Sequence, residues 1–261
     1  MEVRHHFCPI LSFEIALKLF QIPKNHYFYQ KYRTMKNLVL IALIFLTSKT
    51  YSQEMKTDWA NISKYANDNQ DLGIPAKNEN RVVFMGNSIT EGWKSASPEF
   101  FSKNKYINRG ISGQTTSQML VRFRPDVIAL KPKLVVILAG INDIAQNNGP
   151  IELKDIFGNI VSMVELAKIN NIKVILSSVL PANDFSWKKG MEPADKVIQL
   201  NALLEKYAIE NKITFVNYYP KMVDSEKGLD KKFTNDGVHP TLAGYKVMEP
   251  LLQEAIDKTL K

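Results

Sequence analysis

The stretch RVVFMGNSITEGW, residues 81–93, joins a short apolar run to a polar turn that carries a serine. Its first part, Arg81–Met85, is continuously apolar after the arginine, which indicates a strand covered on both faces. Similar runs follow along the chain at Tyr106–Asn108, Leu134–Leu138, Lys173–Ser177 and Ile213–Asn217. The sequence therefore predicts a central, mostly parallel, five-stranded sheet.

Segments with helical periodicity separate these runs or follow the last one. They are Thr116–Arg124, Ile151–Asn170, Pro193–Asn211 and Leu242–Leu260. Strands that alternate with helices predict parallel βαβ units, and hence an α/β fold in three layers, α/β/α. No linker rich in Pro, Gly or Ser divides residues 81–261, so we expect one domain there. Residues 53–80 are expected to form an N-terminal helix and lead-in.

Polar blocks follow several of the predicted strands, at the sheet edge where ligands of such folds gather. These blocks are Gly86–Trp93 (GNSITEGW), Arg109–Gly113 (RGISG), Gly140–Asp143 (GIND) and Asn235–Pro240 (NDGVHP). The last of them lies between the final strand and the final helix. Because the carboxyl ends of parallel strands meet at one edge, we expect all four blocks to lie close together.

In this order the four blocks resemble the GDSL or SGNH hydrolase family of serine esterases and lipases, over residues 81–250. The resemblance implies a flavodoxin-like SGNH hydrolase fold and a carboxylic ester hydrolase that needs no cofactor. It implies that Ser88 is the nucleophile and that Asp236 and His239 complete a catalytic triad. It also implies oxyanion-hole donors at Gly110 and Asn142. The family usually has Asp where this chain has Asn87, whose short side chain can still bond the turn backbone.

The residues support this chemistry without the family name. Serine attacks a carbonyl only when a base takes its proton, and His239 is the only histidine after residue 52. Asp236 precedes it by three residues, so one carboxylate can orient the ring. The alternative is a lone structural histidine.

An oxyanion needs several donors aimed at one point. Gly110 offers a backbone N–H unshielded by a Cβ atom, Asn142 a side-chain amide, and Ser88 its own N–H. A glycine at position 110 would also permit a tight turn, and both roles can hold at once. Trp93 and Arg109 are possible substrate-pocket residues, with ordinary packing as the competing explanation.

The net charge of +8 is concentrated before residue 53, where seven Lys or Arg face two Asp or Glu, leaving +3 for residues 53–261. The later basic residues are scattered, so no nucleic-acid partner is expected. One histidine in residues 53–261 is too few for an ordinary zinc site, and no metal is expected.

The stretch MKNLVLIALIFLTSKTYSQ, from Met35, resembles a secretory signal peptide over residues 35–52. Its apolar run, Leu38–Leu46, has nine residues, too few to span a bilayer, and cleavage is expected before Gln53. We therefore expect an exported protein, periplasmic or extracellular, without stable membrane insertion after cleavage. Residues 1–34 look like translation from a start codon placed too far upstream. A genuine N-terminal arm and an uncleaved anchor are the alternatives.

The expected function is a secreted serine esterase that removes short acyl groups, acetyl above all, from carbohydrate through an acyl-enzyme on Ser88. No long insertion or apolar lid separates the predicted strands, which favours small acyl groups. The alternatives are a lipid acylhydrolase, similar to lysophospholipases or platelet-activating-factor acetylhydrolases, and a non-catalytic carbohydrate-binding module. The sequence does not indicate an oligomeric state.

Overall fold

The computed structural model describes residues 30–31, 34–37 and 58–261. The chain divides into two units, Met1–Lys56 and Thr57–Lys261. In the first unit the few described residues are helical and exposed, and most of the predicted signal peptide and upstream extension lies outside the described residues. No helix in the described part of the chain is long and apolar enough to cross a membrane.

A parallel sheet of five strands forms the centre of the second unit, in the order β2-β1-β3-β4-β5. The strands are β1 Val82–Gly86, β2 Ile107–Gly110, β3 Leu134–Leu138, β4 Lys173–Ser177 and β5 Thr214–Val216. In the register, Val83 lies beside Ile107 on one side and Val135 on the other. The predicted three-layer α/β fold with a flavodoxin-like strand order is confirmed.

One helix precedes the first strand, and the other helices connect the strands or follow the last one. They are α1 Ala66–Leu72, α2 Ser88–Ala96, α3 Pro98–Asn104, α4 Thr116–Asp126, α5 Ile141–Ile144, α6 Leu153–Ile169, α7 Ala194–Glu210, α8 Tyr219–Met222 and α9 Leu242–Leu260. The long helices α4, α6, α7 and α9 coincide with the predicted segments within a few residues. The short helices α2, α3, α5 and α8 were not predicted, and α3, α5 and α8 have at most seven residues each, too few to show a helical period.

The core explains why the sheet strands are continuously apolar. Every residue of β1 and β3 is buried between the two helical layers. On one face, Phe84 packs edge-on against Trp93, which is 1% exposed and stacks between Phe100 and Tyr245. The prediction of Trp93 as a pocket residue is therefore wrong: its place on the buried face of α2 makes it a core residue.

Candidate active site

The hydroxyl of Ser88 is placed by a tight passage from strand to helix. Strand β1 ends at Gly86, and the side chain of Asn87 accepts a hydrogen bond from the N–H of Ile89, 3.0 Å away. This bond caps α2, so Asn87 supplies the short acceptor that the turn needs. Ser88 is the first residue of α2, where backbone N–H groups have no partner within the helix.

Ser88, His239 and Asp236 form one continuous chain of polar contacts. Ser88 Oγ lies 2.8 Å from His239 Nε2, and His239 Nδ1 lies 2.6 Å from Asp236 Oδ2. A neutral imidazole protonated at Nδ1 donates to Asp236 and leaves Nε2 to accept from Ser88. The side chains of His239 and Asp236 are 39% and 37% exposed, so the site opens to solvent.

The carboxylate of Asp236 is fixed by its own loop. Its Oδ1 accepts the N–H groups of Val238 and His239 at 2.9 and 2.8 Å, and the hydroxyl of Thr234 at 3.2 Å. Burial raises the pKa of Asp236, but the N–H of His239, its imidazole and the N–H of Val238 outweigh burial and lower the pKa to about 2. Asp236 is therefore ionised at neutral pH and can stabilise a positive charge on the imidazole.

Asn142 lies in α5, directly after β3, and is 3% exposed. Its Nδ2 donates to the carbonyl oxygen of Gln114, 3.0 Å away. An amide nitrogen carries two hydrogens, so one N–H remains to reach an oxyanion.

Gly110 does not fit the role expected for it. Its N–H donates to Asn108 Oδ1 at 2.9 Å, so this donor is already occupied. A Cβ atom at Gly110 would lie 2.2 Å from the backbone nitrogen of Glu91, so the glycine allows β2 to pack against α2. Gly113 is better suited to be an oxyanion-hole donor. Its φ is +77°, and no atom beyond the adjacent residues lies within 4 Å of the position that a Cβ atom would take. It also precedes Gln114, whose carbonyl oxygen accepts the hydrogen bond from Asn142.

Residues 84–247 match the GDSL-like Lipase/Acylhydrolase family. The chain belongs to this family. A solved structure of a candidate acylhydrolase from Bacteroides fragilis is 58% identical, with a TM-score of 0.78, over 79% of this chain and 100% of that one. Esterase TesA of Pseudomonas aeruginosa is 29% identical over 68% of this chain and 82% of its own length. An acetylxylan esterase of Geobacillus stearothermophilus is 27% identical over 55% of this chain and 68% of its own. The protein is a carboxylic ester hydrolase.

A buried arginine that contacts two loops of the site in this GDSL-like enzyme could not be identified from the sequence. Arg122 is 0% exposed; its Nη1 lies 2.9 Å from Asp126 Oδ2, and its Nη2 donates to the carbonyl of Gly86 at 3.0 Å. Its Nε donates to the side chain of Gln114. Arg122 thus connects the end of β1, just before Asn87 and the serine, to the loop that holds Asn142. In an amphipathic helix, the sequence does not distinguish a buried arginine from a solvent-exposed arginine.

Asp143 joins two loops of the enzyme. Its carboxylate accepts the N–H of Thr116 at 3.0 and 2.9 Å and the hydroxyl of Thr116 at 2.6 Å. Burial raises the pKa of Asp143 to about 6, and the bonds from Thr116 oppose that rise. Asp143 fixes the start of α4 against α5.

Arg109 lies away from Ser88 and holds α1 to the sheet edge. Its guanidinium is 4.6 Å from the ring centre of Tyr65, and its Nε donates to Asn69 Oδ1 at 2.8 Å. It borders a cavity of about 570 Å³ between α1, α3 and β2, which none of Ser88, Asp236 and His239 lines. The expectation that Arg109 lines the pocket of the serine is therefore not met, because its side chain turns to the outer edge of β2.

Proposed function

We propose that this enzyme hydrolyses short-chain acyl esters, acetyl esters of carbohydrates above all, through a covalent acyl-enzyme on Ser88. The observation that carries the proposal is the continuous chain from Ser88 Oγ through His239 to Asp236, with contacts of 2.8 and 2.6 Å. Such a chain has the geometry that serine hydrolysis requires. The non-catalytic alternative has no need of it.

In the first half of the proposed reaction, Ser88 Oγ attacks the ester carbonyl carbon as its proton passes to His239 Nε2. The resulting imidazolium donates to Asp236, which is ionised at neutral pH. The imidazolium then gives its proton to the alcohol oxygen as the bond from that oxygen to the carbonyl carbon breaks. The alcohol leaves, and the acyl group stays on Ser88.

In the second half, water attacks the acyl carbon and passes a proton to His239 Nε2. The bond to Ser88 Oγ then breaks, and the proton returns to that oxygen. Both halves form an oxyanion, for which we propose the N–H of Ser88, the remaining N–H of Asn142 and the N–H of Gly113, which takes the place expected for Gly110.

The preference for short acyl groups rests on the openness of the site. The side chains of His239 and Asp236 are more than a third exposed, so a long acyl chain gains little from burial there. Each added methylene should contribute less than the ~0.8 kcal/mol of full burial. The likeness to an acetylxylan esterase supports a carbohydrate as the alcohol part of the substrate.

A chain-length series tests this proposal. Acetyl esters of p-nitrophenol should be hydrolysed with a kcat/KM at least about tenfold above that of octanoyl esters, and acetylated xylo-oligosaccharides should be deacetylated. Ser88→Ala is the control for contaminating esterase activity. Faster turnover of octanoyl esters and lysolipid than of acetyl esters would replace the proposal with a lipid acylhydrolase.

We also propose that the enzyme is exported and begins at or near Gln53 after cleavage. The support is the signal-like sequence of residues 35–52. N-terminal sequencing of enzyme recovered from the periplasm or medium tests this point. A recovered chain that retains residues 1–34 would overturn it.

A further inference from the structure

The loop between β4 and α7 is fixed at three points close to the site. Asp184 Oδ1 accepts the N–H of Gly190 at 2.9 Å, which closes the loop on itself. Phe185 is 0% exposed and anchors it in the core. Lys188 Nζ donates to the carbonyl of Ala145 at 3.0 Å, at the end of the helix that carries Asn142. The loop is thereby held in a fixed position beside the site.

One aromatic side chain of this loop remains accessible. Trp187 is 46% exposed, although its neighbour Phe185 is fully buried. The ring centre of Trp187 lies 6.1 Å from that of His239, with an angle of 38° between the planes, and 5.1 Å from that of Phe185. A large flat apolar surface is thus held open to solvent beside the imidazole.

The position of Trp187 decides which half of an ester it can contact. In the proposed reaction, on which this inference rests, His239 gives its proton to the alcohol oxygen. The alcohol oxygen must therefore lie within hydrogen-bonding distance of His239 Nε2. The carbonyl oxygen is directed instead to the donors near Asn142. The alcohol part of the ester consequently lies on the side of Trp187, and the acyl part lies away from it.

We infer that Trp187 binds the alcohol part of the substrate by stacking, and that this alcohol is the ring of a sugar. A sugar ring has an apolar C–H face that matches a flat aromatic surface, while its hydroxyl groups stay in water at the open rim. A flexible lipid chain would need a groove to enclose it, and a half-exposed single ring supplies one face only. Trp187 is therefore a specificity-determining residue for the leaving group.

This role has a kinetic signature. The alcohol leaves before water attacks, so Trp187 contributes to formation of the acyl-enzyme and not to its hydrolysis. Removal of the ring should raise KM for an acetylated sugar and leave unchanged the hydrolysis of an ester whose alcohol is too small to stack. Aromatic stacking of ordinary strength corresponds to a change of about tenfold.

The test compares monoacetylated methyl xyloside with ethyl acetate, two substrates that share the acetyl group. Trp187→Ala should lower kcat/KM for the xyloside about tenfold, mainly through KM, and change that for ethyl acetate less than twofold. Trp187→Phe should recover most of the loss, because it restores a flat ring. Trp59→Ala is the matched control, since Trp59 is 48% exposed and lies in the N-terminal lead-in before α1.

The outcomes separate this inference from the proposed function. Equal losses on both substrates, or no loss on the xyloside, would overturn the role of Trp187. A wild-type enzyme that prefers ethyl acetate to the xyloside would overturn the sugar while leaving the esterase intact. Activity retained in Ser88→Ala would instead overturn the proposed function. Unchanged turnover of ethyl acetate shows that the Trp187 variants are folded.

Discussion

Replacing Arg122 with methionine removes the buried guanidinium that bonds to Asp126, Gln114 and the carbonyl of Gly86. Methionine preserves much of the apolar stem, so the main change is electrostatic. The carboxylate of Asp126, whose side chain is 0% exposed, loses its charged partner at 2.9 Å and keeps Asn69 Nδ2 at 2.7 Å. The carbonyl of Gly86 loses the hydrogen bond from Arg122 but still accepts the N–H of Ile111 at 3.1 Å.

The free energy of unfolding should therefore fall mainly because the buried carboxylate of Asp126 loses its salt-bridge partner. Breaking a buried pair from one side costs about 3–5 kcal/mol. For a domain of this size, 1 kcal/mol corresponds to a shift of roughly 2–4 °C in the melting temperature. Arg122→Met should thus lower the melting temperature by roughly 6–20 °C.

Urea unfolding of Arg122→Met, Asp126→Asn and the double variant measures this effect. The double variant should be at least about 2 kcal/mol more stable than Arg122→Met, because asparagine removes the uncompensated charge. A loss below about 1 kcal/mol in Arg122→Met, or a double variant no more stable than it, would refute the reasoning. The activity of the folded fraction should also fall, since Gln114 loses the bond that orients it beside Asn142.

Three further predictions concern other residues of the site. Asn142→Ala should lower kcat by about 10²–10³ with a smaller change in KM, and a raised KM with unchanged kcat would make Asn142 a substrate-binding residue instead. The folded-state pKa of Asp143, about 6, exceeds the ordinary 3.8, so the folded protein binds the proton more tightly. Wild type should therefore gain stability relative to Asp143→Asn as pH falls from about 6 to 3.8, and a pH-independent difference in urea unfolding would contradict the raised pKa. Gly110→Ala should fail to fold, because its Cβ atom would lie 2.2 Å from Glu91 N, whereas Gly113→Ala should yield soluble protein by gel filtration. Soluble, fully active Gly110→Ala would show that β2 and α2 can separate at little cost.

The sheet could be predicted because burial on both faces produces continuous apolar runs such as Leu134–Leu138. The meeting of Ser88 with His239 could be anticipated from parallel topology, which gathers the strand ends at one edge. Helix α2 could not be predicted, because it follows the strand without a loop and contains Gly92, a weak helix former.

The errors of sequence interpretation came from side-chain contacts that the sequence does not show. The N–H of Gly110 bonds to a side chain two residues earlier, on its own strand, and no motif records that partner. Trp93 follows the GNSITEG block closely, but the turn of α2 directs it into the core. Arginine is usually a surface residue, and Arg122 is buried only because Asp126, Gly86 and Gln114 supply hydrogen-bond acceptors around its guanidinium.

Covalent labelling of Ser88 tests the proposed mechanism most directly. A fluorophosphonate should add once to the protein, and peptide mass spectrometry should place the adduct on Ser88. Ser88→Ala should remain folded, take up no probe and lose ester hydrolysis, while Ser162→Ala, a control on α6, should behave as wild type. An adduct on another residue, or ester hydrolysis by Ser88→Ala at the wild-type rate, would contradict the account.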